Sequence, residues 1–196
     1  MKLFNSKRNT VYLSGGMVFK RLKNRKTAEA EGEFLIYLKQ NGVAVPDVLS
    51  VDGDLLCLEY IKGAPLPDFL SITQTENRIK EVSFQIADWL GSFYKATNSK
   101  TTNEIRGDVN GRNFIVTETG IFGVDFEAHV FGSREVDFGK LLAYISTYTY
   151  KDSNAQRSLE RYLRTDFLNL LSADETSMLA EYENELVEIK NRRRNK

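Results

Sequence analysis

Residues 105–127 read Ile-Arg-Gly-Asp-Val-Asn-Gly-Arg-Asn-Phe-Ile-Val-Thr-Glu-Thr-Gly-Ile-Phe-Gly-Val-Asp-Phe-Glu, and the reading of this stretch decides the fold. Asp108 and Asn113 stand five positions apart in a Gly-containing segment unsuited to a helix. Two short β-prone runs follow, residues 114–116 and 121–124, joined by Glu-Thr-Gly, and the spacing predicts a hairpin. Its strands run in opposite directions, so Asn113 at the mouth of the first and Asp125 at the end of the second fall on one side. Two carboxylates and a carboxamide then converge. All are oxygen donors, which suits a hard cation such as Mg²⁺ carrying phosphate oxygens. Asp108 is left to engage a substrate hydroxyl.

The spacing Asp-x-x-x-x-Asn, followed by a strand pair that ends in Asp-Phe, resembles the catalytic loop and metal-binding hairpin of the protein-kinase-like superfamily. It looks most like the small-molecule branch, the aminoglycoside phosphotransferase and choline kinase type. The resemblance implies an α+β, two-lobed fold: a small antiparallel-sheet N-lobe with one helix over residues 1–61, and a mainly helical C-lobe over residues 62–196. It also implies a kinase with an alcohol group as acceptor. ATP is the co-substrate and Mg²⁺ the cofactor, with Asp108 catalytic and Asn113 and Asp125 on the metal.

The rest of the chain supplies the other landmarks in order. Runs 2–4, 10–13 and 17–22 alternate with turn residues 5–9 and Ser14-Gly15-Gly16, a three-stranded meander. Lys20 lies in its third strand, where the resemblance places the lysine that contacts the ATP phosphates. A helix is predicted over 28–40, after a basic linker at 23–26, with Leu35 and Leu38 at core spacing and Asn41-Gly42 as its stop. Glu31-x-x-x-Leu35-x-x-Leu38, then Gly42-Val-Ala-Val-Pro46, is similar to the superfamily's helix that pairs with this lysine. Glu31 is the match, and Glu29 and Glu33 are the alternatives in register.

Residues 46–50 and 55–60 flank Asp52-Gly53, a second hairpin. Its second run, Leu-Leu-Cys-Leu-Glu-Tyr-Ile-Lys-Gly, resembles the hinge whose backbone binds adenine, which gives Glu59 and Ile61 that role. Residues 63–67 make the crossover to the second lobe. The strongest helix signal is 77–97, where Ile79, Val82, Ile86, Leu90 and Phe93 recur at three and four, with Trp89 and Tyr94 beside them as core. Beyond Asp125, Asp137 matches the aspartate that opens the next helix and braces the catalytic loop through backbone N–H groups. Two more helices are expected. Residues 154–171 carry Leu159, Tyr162, Leu163, Phe167 and Leu170 inward, and residues 174–190 carry Leu179, Tyr182, Leu186 and Ile189, with a cap at 172–174.

Three departures from the superfamily pattern stand out. The Gly-rich phosphate loop is replaced by Asn5-Ser-Lys-Arg-Asn9, whose Lys7 and Arg8 either meet phosphate by charge or form a solvated turn. Arg106 takes the place of the usual histidine before Gly-Asp, a structural position in the site. Glu127 replaces the glycine of Asp-Phe-Gly, as an extra metal-side carboxylate or an exposed residue. The segment from the hinge to Asp108 is short, so the acceptor site is open or built from the last two helices.

Lys plus Arg and Asp plus Glu balance at 27 each, which argues against a wholly basic nucleic-acid surface. One cysteine, Cys57, excludes an internal disulfide. With neither an apolar membrane-length run nor a signal-peptide core, a cytoplasmic protein with no membrane partner is expected. His129, the sole histidine, reads as a loop residue near the site, and residues 191–196 as a frayed helix end. The function this implies is ATP- and Mg²⁺-dependent phosphoryl transfer to a small-molecule hydroxyl. The alternatives are a compact RIO-like protein or RNA-complex kinase, or a nucleotide-binding pseudokinase.

Overall fold

The computed structural model describes residues 2–4, 9–98, 103–127, 130–148 and 153–194. The readings of 5–8, of the loop at 99–102, of His129 and of residues 195 and 196 lie outside the described residues.

Five antiparallel strands form the first sheet: β1 (Lys2–Phe4), β2 (Thr10–Ser14), β3 (Met17–Arg21), β4 (Val48–Asp52) and β5 (Leu55–Glu59), in the order β1-β2-β3-β5-β4. The β2–β3 turn needs two left-handed residues, and Gly15 (φ 57°) and Gly16 (φ 78°) provide them without a Cβ penalty. Helix α1 (Arg25–Gln40) connects β3 to β4 and packs on β4 and β5. It starts three residues earlier than the sequence pattern suggests. The Asn24 side chain accepts from the Thr27 N–H at 2.9 Å, so the basic run at 23–26 is a cap and first turn instead of a linker.

The remainder is mainly helical: α2 (Leu66–Leu70), α3 (Glu76–Thr97), α4 (Arg134–Thr147), α5 (Ser153–Leu170) and α6 (Glu175–Arg194). Helix α3 packs against α5, and α4 packs against α6. Helix α2 was not anticipated, because five residues around Pro67 carry too little periodicity to read. Strands β6 (Ala64–Pro65), β8 (Phe114–Val116) and β9 (Ile121–Gly123) make a three-stranded sheet, and β7 (Glu104–Ile105) pairs with β10 (Val130–Phe131). The β8–β9 hairpin is the one read from residues 114–124, with Phe114 opposite Gly123.

The expected inward faces of the last two helices need correction. Leu170 is exposed, and α5 instead buries Ala155 with Leu159, Leu163 and Phe167. Helix α6 buries Met178, Glu185 and Ile189, while Leu179, Tyr182 and Leu186 are half-buried. On that face the Glu185 carboxylate meets the Tyr144 hydroxyl of α4 and, toward solvent, the Arg192 guanidinium. Among the described residues of the tail, 191–194 are helical and exposed, as a solvated helix end requires. Helix α6 continues to Arg194, and Arg193 donates to the Thr147 carbonyl at 2.7 Å. Among the described residues no helix is long and apolar enough to cross a membrane.

An aromatic cluster ties these parts to the region after β9. Trp89 stacks on Phe93 at 5.8 Å and meets Phe114 edge-on at 5.5 Å, and Phe34 of α1 meets Phe126 at 6.0 Å. Such pairs add about 0.5–1.5 kcal/mol each beyond area burial. Phe126 is thereby fixed between two elements distant in sequence, and Asp125 and Glu127 are held on either side of it.

Candidate active site

Lys20, the fourth residue of β3, is almost wholly buried, at 5% exposure. Its ammonium lies 2.9 Å from each oxygen of Glu31, 2.6 Å from Asp125 Oδ1 and 2.8 Å from Glu127 Oε1. Glu31 comes from the buried face of α1. Of its competitors in register, Glu29 pairs with Arg25 and Glu33 is exposed. Glu31 Oε1 also accepts the Phe126 N–H at 3.0 Å.

Burial works against the charge of Lys20, but the surrounding carboxylates outweigh it and raise its pKa. Burial likewise pushes Glu31 upward, against the pull of Lys20 and of the Phe126 amide. The two shifts favour opposite forms of the pair. Lys20 donates to both Glu31 oxygens at close range, a charge-assisted contact that favours the ionised form of each partner. At Asp125 burial is overcome by Lys20 and Arg106, and its pKa falls below the ordinary value.

Asp125 is a non-glycine residue with φ 68°, a strained left-handed conformation. Arg106 holds it there. Its guanidinium, 3% exposed as a residue, donates to the Val124 carbonyl at 2.6 Å and the Asp125 carbonyl at 2.5 Å. Burial lowers the Arg106 pKa, opposed by the charges of Asp108, Asp125, Asp137 and Glu31. Arg106 Nε is buried without a partner.

The Asp137 carboxylate accepts the backbone N–H groups of Arg106 at 2.6 Å and Gly107 at 2.8 Å, and the Tyr94 hydroxyl at 2.9 Å. Burial raises its pKa against those bonds. Gly107 adopts φ 71°, and a Cβ there would lie 2.6 Å from Val130, so the turn into Asp108 accommodates only glycine.

Asp108 itself is exposed. Its carboxylate accepts the Asn110 N–H at 3.3 Å, a turn contact that leaves it open to solvent. Asn113 closes the 3₁₀ turn Gly111–Asn113 and donates its amide to the Asp108 carbonyl at 3.1 Å. The Asn113 carbonyl accepts the Val124 N–H at 2.9 Å, which sets Asn113 beside the residue preceding Asp125. Asn113 Oδ1 is not engaged by that side-chain bond, so an oxygen donor remains there. Among the described residues no cluster of three or more His, Cys, Asp or Glu forms a ready-made cation cage. The donor set fits an ion that brings water and phosphate oxygens of its own, as Mg²⁺ does.

The structure therefore gathers Lys20, Glu31 and Asp125 directly, and links Asp108, Asn113, Arg106 and Asp137 to them through the backbone. Glu59 and Ile61 stand apart from that cluster. Glu59 is opposite Met17 at the end of β5; its N–H donates to the Asp47 carbonyl at 2.9 Å and its side chain accepts the Asp47 N–H at 3.1 Å. Ile61 is half-buried just beyond. The sequence pattern missed Tyr94 as a support of the site, although a tyrosine on a buried helix face needs a partner for its hydroxyl. It also left open the position of Glu127, which reaches Lys20.

A model of the RIO domain family matches residues 7–137. No curated protein gives a significant match. Among solved structures, ADP-bound aminoglycoside phosphotransferase APH(2'')-Ib is similar, with 15% identity, 94% of this chain and 91% of that chain covered, and a TM-score of 0.65. Aminoglycoside-3'-phosphotransferase of type VIII gives 13% identity, coverage of 92% and 91%, and a TM-score of 0.64. A choline/ethanolamine kinase family protein from Mesorhizobium loti gives 13% identity, coverage of 97% and 86%, and a TM-score of 0.56. The two-lobed kinase-like fold is thus shared with the small-molecule branch, while the matching family is the one the motifs placed second.

Proposed function

The chain belongs to the RIO domain family, and from that premise we propose that it is an ATP- and Mg²⁺-dependent phosphotransferase that passes the γ-phosphoryl group to a hydroxyl. The observation that carries this reading is the buried Lys20–Glu31 pair facing Asp125, on one side of a hairpin that also carries Asn113. Phosphoryl transfer rests on positioning and charge neutralisation more than on covalent chemistry by the protein. Lys20, oriented by Glu31, binds phosphate oxygens. Asn113 and Asp125 hold Mg²⁺, which offsets the phosphate charge. Asp108, exposed at the mouth of the site, orients the acceptor hydroxyl and takes its proton. Arg106 and Asp137 hold Asp125 and the catalytic loop in place, and the backbone at Glu59 and Ile61 receives the base.

A small-molecule acceptor is supported by the fold shared with aminoglycoside phosphotransferases and a choline/ethanolamine kinase family protein. A protein or RNA-complex acceptor is the second reading, favoured by the RIO domain match.

Thermal shifts with ATP, ADP and GTP, each with and without Mg²⁺, test the nucleotide site on wild type and Asp125→Asn. A Mg²⁺-dependent shift abolished by Asp125→Asn supports it, and no shift with any nucleotide removes it. Transfer from γ-labelled ATP to candidate acceptors then tests turnover. Asp108→Asn is expected to lose at least about 100-fold in kcat with nucleotide affinity nearly unchanged. Nucleotide binding without any transfer would point to a pseudokinase.

A further inference from the structure

Resting on that reading of the site, we infer that Glu127 is an internal counter-ion that stands where a nucleotide phosphate must meet Lys20, and that it makes the site select metal-complexed nucleotide over free nucleotide. An ammonium has three N–H donors and no more. In this structure Lys20 faces three carboxylates: Glu31 with both oxygens at 2.9 Å, Asp125 at 2.6 Å and Glu127 at 2.8 Å. A phosphate oxygen reaches the ammonium only if one of them withdraws.

The three are not equally free to leave. Glu31 has a side chain 1% exposed and is bound to the Phe126 N–H as well as to Lys20. Asp125 sits on backbone pinned by Arg106 at two carbonyls, but its side chain is 47% exposed, and in the proposed site it turns to the metal. Glu127 has a side chain 25% exposed; besides Lys20 it meets the amide of Asn9, at the entry to β2, and the Asp125 carboxyl group. With Asp125 engaged by the metal, Glu127 is the remaining carboxylate on Lys20 with a path to solvent.

Charge then decides which nucleotide enters. Lys20 and the Arg106 guanidinium, which also acts on Asp125, are two positive charges against three carboxylates, in a pocket partly shielded from water. A nucleotide without metal adds several further negative charges against Asp125 and Glu127. A divalent cation bound to its phosphates offsets that repulsion, and Glu127 is free to swing outward. In an Asp-Phe-Gly sequence the position of Glu127 carries no charge, so this selectivity is a property of the glutamate.

The test compares wild type, Glu127→Gln and Glu127→Asp by titration calorimetry with ADP and ATP, in Mg²⁺ and in EDTA. The glutamine keeps an oxygen for Asn9 and removes the charge; the aspartate keeps the charge. Apo melting temperatures confirm that each variant is folded. Glu127→Gln is expected to tighten metal-free binding by about ten-fold and to leave Mg²⁺-nucleotide affinity within about two-fold. Glu127→Asp should discriminate as wild type does. Unchanged metal-free affinity in Glu127→Gln overturns the inference while the nucleotide site stands. A selective loss of Mg²⁺-nucleotide affinity overturns it too, by assigning Glu127 to the metal. If wild type binds no nucleotide with or without Mg²⁺, the functional reading falls and the inference with it.

Discussion

The Arg106 guanidinium lies 4.2 Å from the centre of the Phe126 ring, face-on to the aromatic cluster that also holds Trp89 and Phe93. The same guanidinium caps two carbonyls of the strained turn at Asp125. One side chain thus supplies both a cation–π contact and the polar partners that keep a left-handed aspartate in position. Arg106→Ala leaves those carbonyls short of donors and opens a void over Phe126. It is expected to cost about 2–4 kcal/mol in urea unfolding. A change below about 0.5 kcal/mol would show that the turn is held by something else.

Asp137 accepts three hydrogen bonds at full burial, two of them from the backbone leading into Asp108. In Asp137→Asn one acceptor oxygen becomes a donor that faces donors. The expected loss is about 2–4 kcal/mol, with impaired turnover as the loop at Gly107 loosens. Tyr94→Phe removes only one of the three donors and should cost about 1 kcal/mol. A Tyr94→Phe loss as large as that of Asp137→Asn would contradict this division.

Burial and the nearby Glu185 carboxylate push the Tyr144 phenol up to about 12. Its folded value is raised, so the unfolded chain loses this proton first as pH rises. The contribution is complete below pH 10 and is lost as pH climbs toward 12. Stability followed between pH 9 and 12 should therefore fall less steeply in Tyr144→Phe than in wild type. Parallel curves would refute the assignment.

Gly139 of α4 packs directly on the backbone of α6. A Cβ added there would lie 2.5 Å from the Tyr182 backbone nitrogen. Backbone cannot give way as a side chain can, so Gly139→Ala must move one helix. The expected cost is about 1–3 kcal/mol, read from the midpoint of denaturant unfolding. The Lys20 cluster lies on other elements, so nucleotide affinity should survive the change.

Glu185 is buried at 6% exposure and answered by Arg192 near the end of α6. Arg192→Ala leaves that carboxylate without its counter-ion. The arginine is half exposed, so solvent replaces part of the interaction and the expected loss is about 1–2 kcal/mol. Arg194→Ala, outside this pair, should leave the melting temperature nearly unaltered.

The landmarks readable in the chain were those with a local physical signature. Gly15-Gly16 and Asp52-Gly53 fixed two hairpins, and the recurrence of Ile79, Val82, Ile86 and Leu90 fixed α3 within a residue at its start. The order of Lys20, Glu31, Asp108, Asn113, Asp125 and Asp137 was enough to place the chain in a two-lobed kinase-like fold. What escaped depends on contacts remote in sequence. No pattern within α6 announces that Glu185 faces inward, because its partner there is the Tyr144 hydroxyl of α4, 41 positions earlier. Nor does residue 127 reveal that its carboxylate reaches a lysine 107 positions earlier.

One bond reaches across that distance in a way that can be watched. The Phe126 amide donates to Glu31 Oε1, an atom that also holds Lys20. That single oxygen joins β3, α1 and the segment after β9. The deuterium uptake of one backbone amide is therefore a gauge of the whole clamp. It slows when the three parts are locked together and quickens when they separate, with no label at the site and no need to know the acceptor.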